Sequence, residues 1–204
     1  PAEQLAQGKA LRAAMGARPV LLAASTREGE EALLLEAVQR AGSTPALLII
    51  VPRHPQRFDD VAALITARGL RMQRRSARMA IDATTEVLLG DSMGEMFTYY
   101  AACDVVLMGG SFLPYGAHSL IEPCAAGKPV VIGPSVFNFA EAATAAVTAG
   151  AALSAPDLTA AYALALELAA DGARCQRVGD AGIAFTVAHR GAAARVMSLI
   201  QIRE

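Results

Sequence analysis

Short unbroken hydrophobic runs along this chain alternate with longer segments in which apolar residues recur at helical spacing. The runs lie at residues 20–24, 46–51, 87–89, 104–108, 130–132 and 151–153. Such runs, bounded by glycine or proline, are typical of strands that a parallel sheet buries on both faces. The segments between them predict helices that end near residues 40, 68, 149 and 170, and a last helix over 172–202 with interruptions near Gly182 and Gly191. The pattern therefore predicts an α/β fold, a Rossmann-like parallel sheet with helices on both faces.

The segment 103–134 is the unit around which the rest of the chain is organised. It consists, in order, of a strand at 104–108, a turn at Gly109-Gly110-Ser111, a helix from near Ala117 to Gly127, and a strand at 130–132. A βαβ unit of this kind is right-handed, and it places Ser111 and residues 118–122 at the carboxyl edge of the sheet. Ligands of open α/β sheets bind at that edge, so this segment predicts a ligand site.

The residues at this edge suit a ligand that carries both a phosphate and a sugar diol. A helix that begins near Ala117 offers unpaired N–H groups and the positive end of its dipole to an anion. Glu122, four residues after His118 and on the same helical face, offers acceptor oxygens to sugar hydroxyls. Gly110 and Ser111, in the preceding turn, are further candidates for the same crevice.

Two other strand ends repeat this arrangement. After the run at 87–89, a glycine-bearing turn opens a helix whose first amides, at Met93, Gly94 and Glu95, are expected to face the same crevice. After the run at 46–51, Pro52 and a second proline restrict the backbone and hold Arg53 at the sheet edge, where a preorganised guanidinium binds anions well.

Several of these positions also have a purely structural interpretation. Ser25 is either an N-cap, with Glu28 completing a capping box, or a ligand-facing residue after the first strand, and the pattern favours the cap. Asn138 is likewise an N-cap or a crevice residue, with the cap favoured. Asp91 or Ser92 is the N-cap candidate of the helix that follows residue 93.

A basic cluster accompanies an expected edge strand and loop at residues 70–79. Its members are Arg68, Arg71, Arg74, Arg75 and Arg78. A solvated sheet edge explains such a cluster, and a surface that faces anionic lipid headgroups is the alternative.

Composition and charge narrow the class of protein. The 204 residues are 54% hydrophobic with a mean hydropathy of +0.37, enough to bury the core of one α/β domain. A net charge of −1 argues against nucleic-acid binding. The three cysteines lack a CxxC pair and are expected to be reduced thiols. No apolar run reaches the ~18 residues of a membrane span.

The chain starts at Pro1 without an initiator methionine, which predicts a piece of a longer protein. We expect a helical lead-in at 1–18 that follows a separate N-terminal domain, a Rossmann-like domain at 19–170, and a helical tail at 171–204. Motif spacing offers no HExxH, GxGxxG, P-loop or GxSxG signature. Zinc, nicotinamide, ATPase and hydrolase chemistries therefore lack their fingerprints, and neither a metal nor a cofactor is predicted.

The motifs resemble the C-terminal half of the 3-deoxy-D-manno-octulosonic acid (Kdo) transferases. They are STREGEE at 25–31, VPRHPQRF at 51–58, GDSMGE at 90–95, GGS at 109–111, HSLIEP at 118–123, GKP at 127–129, and GP with FNF at 133–139. Seven signatures in the right order across most of residues 20–140 make the match specific. The segment beyond them resembles the family only in being helical.

This resemblance implies the GT-B architecture, two Rossmann-like domains that face a cleft, with this chain as the C-terminal, donor-binding half. It implies a parent enzyme that transfers Kdo from CMP-Kdo to the lipid A precursor at the cytoplasmic face of the bacterial inner membrane. The transfer would invert the anomeric centre without a metal. The catalytic base, the acceptor site and the membrane contact would lie in the N-terminal domain, so no catalytic residue is expected here. The isolated chain should bind nucleotide and not catalyse.

By the same resemblance, CMP is expected to contact three segments of this chain. The implied contacts are Pro52, Arg53, Met93, Gly94, Glu95, Ser119, Leu120, Ile121 and Glu122. One departure concerns residues 116–122, which are GAHSLIE where the family usually shows GGHNPLE. Ser119 offers one hydroxyl in place of an asparagine amide, so a contact is lost or bridged by water.

Two alternatives stay open at this point. One is the donor-binding half of another GT-B enzyme, such as a UDP-sugar transferase or a nucleotide-sugar 2-epimerase. The other is a non-enzymatic α/β module without a small ligand.

Overall fold

A computed structural model describes residues 2–189 and contains a seven-stranded, wholly parallel sheet. The strands are β1 (Val20–Thr26), β2 (Leu47–Pro52), β3 (Met72–Arg74), β4 (Val87–Leu89), β5 (Val105–Met108), β6 (Val130–Ile132) and β7 (Ala152–Ser154). Their order across the sheet is β3-β4-β2-β1-β5-β6-β7, with β1 at the centre. The predicted strands are confirmed, and every residue of β2, β4, β5 and β6 is buried, as their unbroken apolar runs require.

Eight α-helices cover the two faces of the sheet within the described residues. They are α1 (Ala2–Ala14), α2 (Glu30–Ala41), α3 (Phe58–Ala67), α4 (Met96–Ala102), α5 (Ile121–Ala125), α6 (Ala140–Thr148), α7 (Leu158–Ala170) and α8 (Gly172–His189). One core cluster packs α1, α4, α5, α6 and α8 on one face, and a second packs α2, α3 and α7 on the other. None of these helices combines the length and apolar character needed to cross a bilayer.

Helix α1 packs directly on α4 and contributes to the domain core. Leu11 and Met15 are buried, and a Cβ added to Gly8 would stand 2.4 Å from the Cβ of Ala101, so the two helices approach closely. The Arg12 guanidinium lies 3.3 Å from the Asp104 carboxylate, which in turn accepts the backbone N–H at the start of β1 at 2.7 Å. The helix predicted within residues 1–18 is thereby fixed to the sheet.

Several predicted helix starts were wrong. β1 extends through Thr26, and α2 has Gly29 at its N-cap position without a side-chain hydrogen bond, so Ser25 is not a cap. The N-cap position of α4 is Glu95 rather than Asp91 or Ser92, and that of α6 is Phe139 rather than Asn138.

The helix predicted from Ala117 begins only at Ile121. Gly116 and Ala117 both have left-handed backbones, with φ of +80° and +67°, and the N–H of Ala117 donates to the carbonyl of Gly110 at 2.6 Å. This local turn delays the helix, so His118 precedes it and does not share a helical face with Glu122.

The interruption predicted near Gly182 was also wrong, since α8 runs through it. A Cβ on Gly182 would lie 3.1 Å from the carbonyl oxygen of Cys124, so the glycine permits close packing of α8 on α5. Gly191 and the rest of the predicted tail lie outside the described residues. All three cysteines are free thiols; Cys103 and Cys124 are buried and Cys175 is half-buried, as predicted for reduced core or surface thiols.

Candidate functional site

Three loop segments meet at the carboxyl edge of the sheet and enclose a crevice of about 290 Å³. They are the end of β2, the turn before α4, and the loop before α5. We call this space the edge crevice; its lining is Ser25, Val51, Pro52, Arg53, Ser92, Met93, Gly94, Glu95, Met96, Tyr99, Tyr100, His118, Ser119 and Glu122. A further cavity, of about 310 Å³ between α1 and residues 73–81, contains none of the predicted site residues.

The edge crevice brings together most of the residues that the sequence singled out. Seven of the nine predicted nucleotide contacts line it, together with two of the five additional candidates. The candidates found in the lining are Pro52, Arg53, Met93, Gly94, Glu95, Ser119 and Glu122 from the first set, and Ser25 and His118 from the second. Contact of these residues with a ligand stays a prediction, but their common location is a property of the fold.

The remaining candidates lie elsewhere. Leu120 is 2% exposed and belongs to the core beneath the crevice, and Ile121 is exposed without lining it. Asn138 is exposed and donates to the carbonyl of Tyr115 at 2.9 Å. Gly110 is buried, and Ser111, which is fully buried, donates to the carbonyl of Met108 and accepts the N–H of Gly133 at 2.8 Å. The Ser111 hydroxyl therefore links the ends of β5 and β6.

One end of the crevice is built around the Glu95 carboxylate. The Arg75 guanidinium lies 2.9 Å away and the Ser92 hydroxyl donates to the same group. Burial alone would raise the pKa of Glu95, but the hydrogen bonds from Ser92 and Arg75 outweigh it and lower the pKa. Burial raises the pKa of Tyr99 to about 12, so its hydroxyl, 2.9 Å from that of Ser92, stays neutral. Sequence reasoning missed Tyr99 because an aromatic residue inside a helix is typical of a core position.

The crevice lining also includes His118. Its Nε2 atom is buried and has no hydrogen-bond partner among residues 2–189. Burial lowers the pKa of His118 to about 4, and the charges of Arg53 and Arg27 act in the same direction. The imidazole is therefore neutral near pH 7 and presents an unused ring nitrogen.

Ser25 lies beside His118 with a left-handed backbone, φ of +56°. A Cβ on Gly109 would stand 2.4 Å from the Ser25 carbonyl oxygen, so the ends of β1 and β5 pack at a distance that only glycine allows. Non-glycine residues with positive φ are uncommon and are concentrated at functional sites. Ser25 lies within β1 and lines the edge crevice, and its contact with a ligand stays a prediction.

Glu30, which sequence reasoning did not single out, organises the loops behind the crevice. It is 1% exposed, and its carboxylate accepts the N–H groups of Gly110 at 2.7 Å, Arg27 at 2.9 Å and Phe112 at 3.0 Å. Burial raises the pKa of Glu30 despite these three hydrogen bonds. The available signal was two acidic residues at the start of a helix that directly follows a buried strand.

Carboxylates of neighbouring elements neutralise much of the predicted basic cluster. Arg74 lies 2.6 Å from Asp59 and 3.5 Å from Asp91, and Arg75 pairs with Glu95. These contacts fit the structural interpretation of the cluster, an edge strand and loop.

Two curated relatives have the same name, although no family model matches the sequence. The chain is 48% identical to the 3-deoxy-D-manno-octulosonic acid transferase of Bordetella pertussis over 98% of its own length and 48% of that protein. It is 35% identical to the enzyme of the same name from Haemophilus influenzae, over 90% of this chain and 44% of that one.

A solved structure gives the decisive comparison. The C-terminal CMP-Kdo binding domain of WaaA from Acinetobacter baumannii matches with a TM-score of 0.86 and 32% identity, over 91% of this chain and 98% of that domain. The chain belongs to the Kdo transferase family. The predicted fold, the C-terminal half of a GT-B glycosyltransferase, is confirmed by this match. The chain spans about half the length of the curated Kdo transferases that it matches.

Proposed function

We propose that this chain is the donor-binding domain of an inverting, metal-independent Kdo transferase and that it holds CMP-Kdo in the edge crevice. The observation that carries the proposal is the convergence of Arg53, the 93–95 turn and Glu122 on a single crevice. Support comes from a relative of 32% identity that is described as a CMP-Kdo binding domain. Neither a phosphate clamp nor a diol acceptor alone would identify a nucleotide sugar, but together they fit one.

The chemistry of the lining assigns a part of CMP to each segment. Arg53 is exposed at the end of β2 and supplies charge-assisted hydrogen bonds to the phosphate. Glu122 is exposed in the first turn of α5, where its acceptor-only carboxylate suits the ribose hydroxyls. Gly94 has φ of +78° and open space around its Cα, so the backbone of the 93–95 turn is free to approach the cytosine edge.

Ser119 contributes less than the asparagine that the family usually has at this position. Its hydroxyl lies 3.4 Å from the N–H of Ile121, at the start of α5. We propose that a water molecule bridges Ser119 to the nucleotide, because the hydroxyl is shorter than an amide.

The transfer reaction requires groups beyond this chain. In-line attack on the anomeric carbon needs a base and an acceptor held across the cleft from the donor. We propose that these groups, together with the lipid A precursor site and the contact with the inner membrane, belong to the half of the relatives that this chain does not cover. The isolated chain then binds donor and transfers nothing.

Titration of the chain with CMP, UMP and UDP tests the donor assignment. CMP should bind more tightly than either uridine nucleotide and should raise the melting temperature, because a ligand of the native state stabilises it. Glu122→Gln should weaken CMP binding about tenfold, the loss expected for a hydrogen bond to a charged group. Glu141→Gln, which removes an exposed carboxylate from the first turn of α6, is the matched control. Equal affinity for CMP and UDP would favour another GT-B donor, and no binding of any nucleotide would refute the proposal.

A further inference from the structure

The loop that follows β2 contains two arginines in different surroundings. Arg53 is exposed, lines the edge crevice, and forms no ion pair with the residues that the structure describes. Arg57, four residues later, ends a single 3₁₀ turn, Pro55–Arg57, and its side chain is only 18% exposed. One loop therefore carries an arginine that is free to bind an anion and another that the domain itself encloses.

Arg57 forms a two-point ion pair with Glu31 of α2. Its Nη1 atom donates to Oε1 of Glu31 at 2.7 Å, and its Nη2 atom donates to Oε2 at 3.1 Å. The Glu31 side chain is fully buried. A guanidinium and a carboxylate in this fork geometry fix each other's orientation as well as their separation. We call Glu31 and Arg57 the anchor pair, because together they join the 3₁₀ turn to α2.

The anchor pair also contacts β1 through Thr26. The Thr26 hydroxyl donates to Oε1 of Glu31 at 2.7 Å, and the Thr26 carbonyl accepts the N–H of Arg53 at 3.0 Å. The N–H of Arg57 donates to the carbonyl of His54 at 3.1 Å and closes the turn between the two arginines. The segment 53–57 is thus held by Thr26 at its start and by Glu31 at its end.

This attachment bears on how well Arg53 can bind an anion. Pro52 and Pro55 restrict the backbone on either side of Arg53, but they do not determine where the loop lies relative to α2. The anchor pair determines that position. Ordering a long side chain and its loop on binding costs affinity, so an arginine whose backbone is already in place binds a phosphate more tightly.

We infer that Glu31 and Arg57 are positioning residues, which hold Arg53 where it binds the phosphate of the nucleotide. Neither belongs to the described lining of the edge crevice, so both act through Arg53 rather than by touching the ligand. The inference rests on the proposed function, in which Arg53 binds that phosphate. It requires that loss of the anchor pair weakens the binding of the phosphate and not that of the nucleoside.

The test measures the affinities of the 204-residue chain for CMP and for cytidine, which differ by the phosphate alone. The ratio of the two affinities gives the contribution of the phosphate. Arg53→Gln should lower this ratio about tenfold, the loss expected for a hydrogen bond to a charged group. Arg57→Gln should lower it about two- to tenfold, the cost of ordering a long side chain on binding, and should leave the affinity for cytidine unchanged.

Three variants separate positioning from a direct effect of the Arg57 charge. In the Arg53→Gln background, Arg57→Gln should not lower the ratio further, because the effects of residues that act through one another do not add. Arg57→Lys keeps the charge without the fork, so its ratio should lie between those of Arg57→Gln and the wild type. Arg40→Gln, which breaks an exposed ion pair with Glu36 of α2, is the matched control and should keep the wild-type ratio.

Several outcomes would overturn the inference. They are a wild-type ratio in Arg57→Gln or in Arg57→Lys, an additive loss in the double variant, and an equal loss of affinity for CMP and cytidine. If melting temperatures show that Arg57→Gln is unfolded during the titration, the ratio in Arg57→Lys decides alone. A wild-type ratio in Arg53→Gln, or no binding of CMP by the wild type, would instead refute the proposed function.

Discussion

Replacing Glu30 by glutamine should destabilise the domain, because Glu30 is the shared acceptor of three backbone N–H groups. One carboxylate oxygen accepts from Gly110 and Arg27, and the other accepts from Phe112. A glutamine has a single acceptor oxygen and an NH2 group. In its best orientation the oxygen keeps Gly110 and Arg27, and the NH2 group then faces the N–H of Phe112.

The size of the effect follows from that single lost acceptor. A buried donor left without a partner costs about 1–3 kcal/mol. Burial raises the pKa of Glu30, so the carboxylate pays a desolvation cost that the amide avoids, and we expect the lower half of that range. For a domain of this size, 1 kcal/mol corresponds to roughly 2–4 °C in melting temperature. Glu30→Gln should therefore melt about 2–8 °C below the wild type.

The stability difference between the wild type and Glu30→Gln should change with pH in a direction that a loss of packing alone would not produce. The folded pKa of Glu30 lies above its unfolded value, so its contribution to stability is full below the unfolded pKa and falls as pH rises through the folded pKa. Other groups cancel when the two proteins are compared. The stability difference between wild type and Glu30→Gln should therefore be wider near pH 4 than near pH 7.

Thermal unfolding followed by circular dichroism at both pH values, with amide exchange at Gly110 and Phe112, measures these effects. Glu36→Gln is the control, because it removes a half-exposed carboxylate from the same helix and should change stability by less than about 0.5 kcal/mol. The role assigned to Glu30 is wrong if Glu30→Gln and Glu36→Gln have the same melting temperature. It is also wrong if the stability difference between Glu30→Gln and the wild type widens toward neutral pH.

Two further predictions concern the crevice backbone and its imidazole. Gly109→Ala should lower the free energy of unfolding in urea by about 1–3 kcal/mol, because the new Cβ would stand 2.4 Å from the Ser25 carbonyl oxygen. Gly172→Ala is the control, because nothing lies within 4 Å of a Cβ at that position. Equal effects of the two substitutions would contradict the close approach of Gly109 to Ser25. Since the pKa of His118 is lowered to about 4, its NMR signals should not titrate between about pH 5.5 and 8. The wild type should also lose stability relative to His118→Gln as the pH falls from about 6.5 toward 4. An NMR titration midpoint near 6.5 would refute a ring that is neutral and half-buried.

The sequence predicted the sheet well because burial on both faces leaves a signal in every residue of a strand. The run from Leu47 to Val51 has no polar residue, and its strand, β2, lies next to the central strand β1. Strand ends follow from such runs to within one or two residues. The crevice followed as well, since the carboxyl ends of parallel strands share one edge and their loops meet there.

The errors arose where backbone geometry departs from what the residue type signals. Ala117 and Ser25 both adopt left-handed backbones, which are uncommon for alanine and serine and could not be predicted from the residue type. The helix was therefore predicted to start too early, at Ala117, and Ser25 was wrongly predicted to be an N-cap. The role of Glu30 was missed for another reason: its three donors come from two separate loops, and no local pattern records their arrangement. Such contacts follow from tertiary structure alone.

The docking of α1 on α4 matters for where this domain can be cut. Gln4 donates to the carbonyl of Gly94 at 2.7 Å, so the first helix touches the same turn that borders the crevice. A shortened version that starts at the first strand would lose this support and would expose the apolar surface that Leu11 and Met15 now cover. Nucleotide affinity and solubility should thus fall together on truncation at residue 18, although no crevice residue is removed.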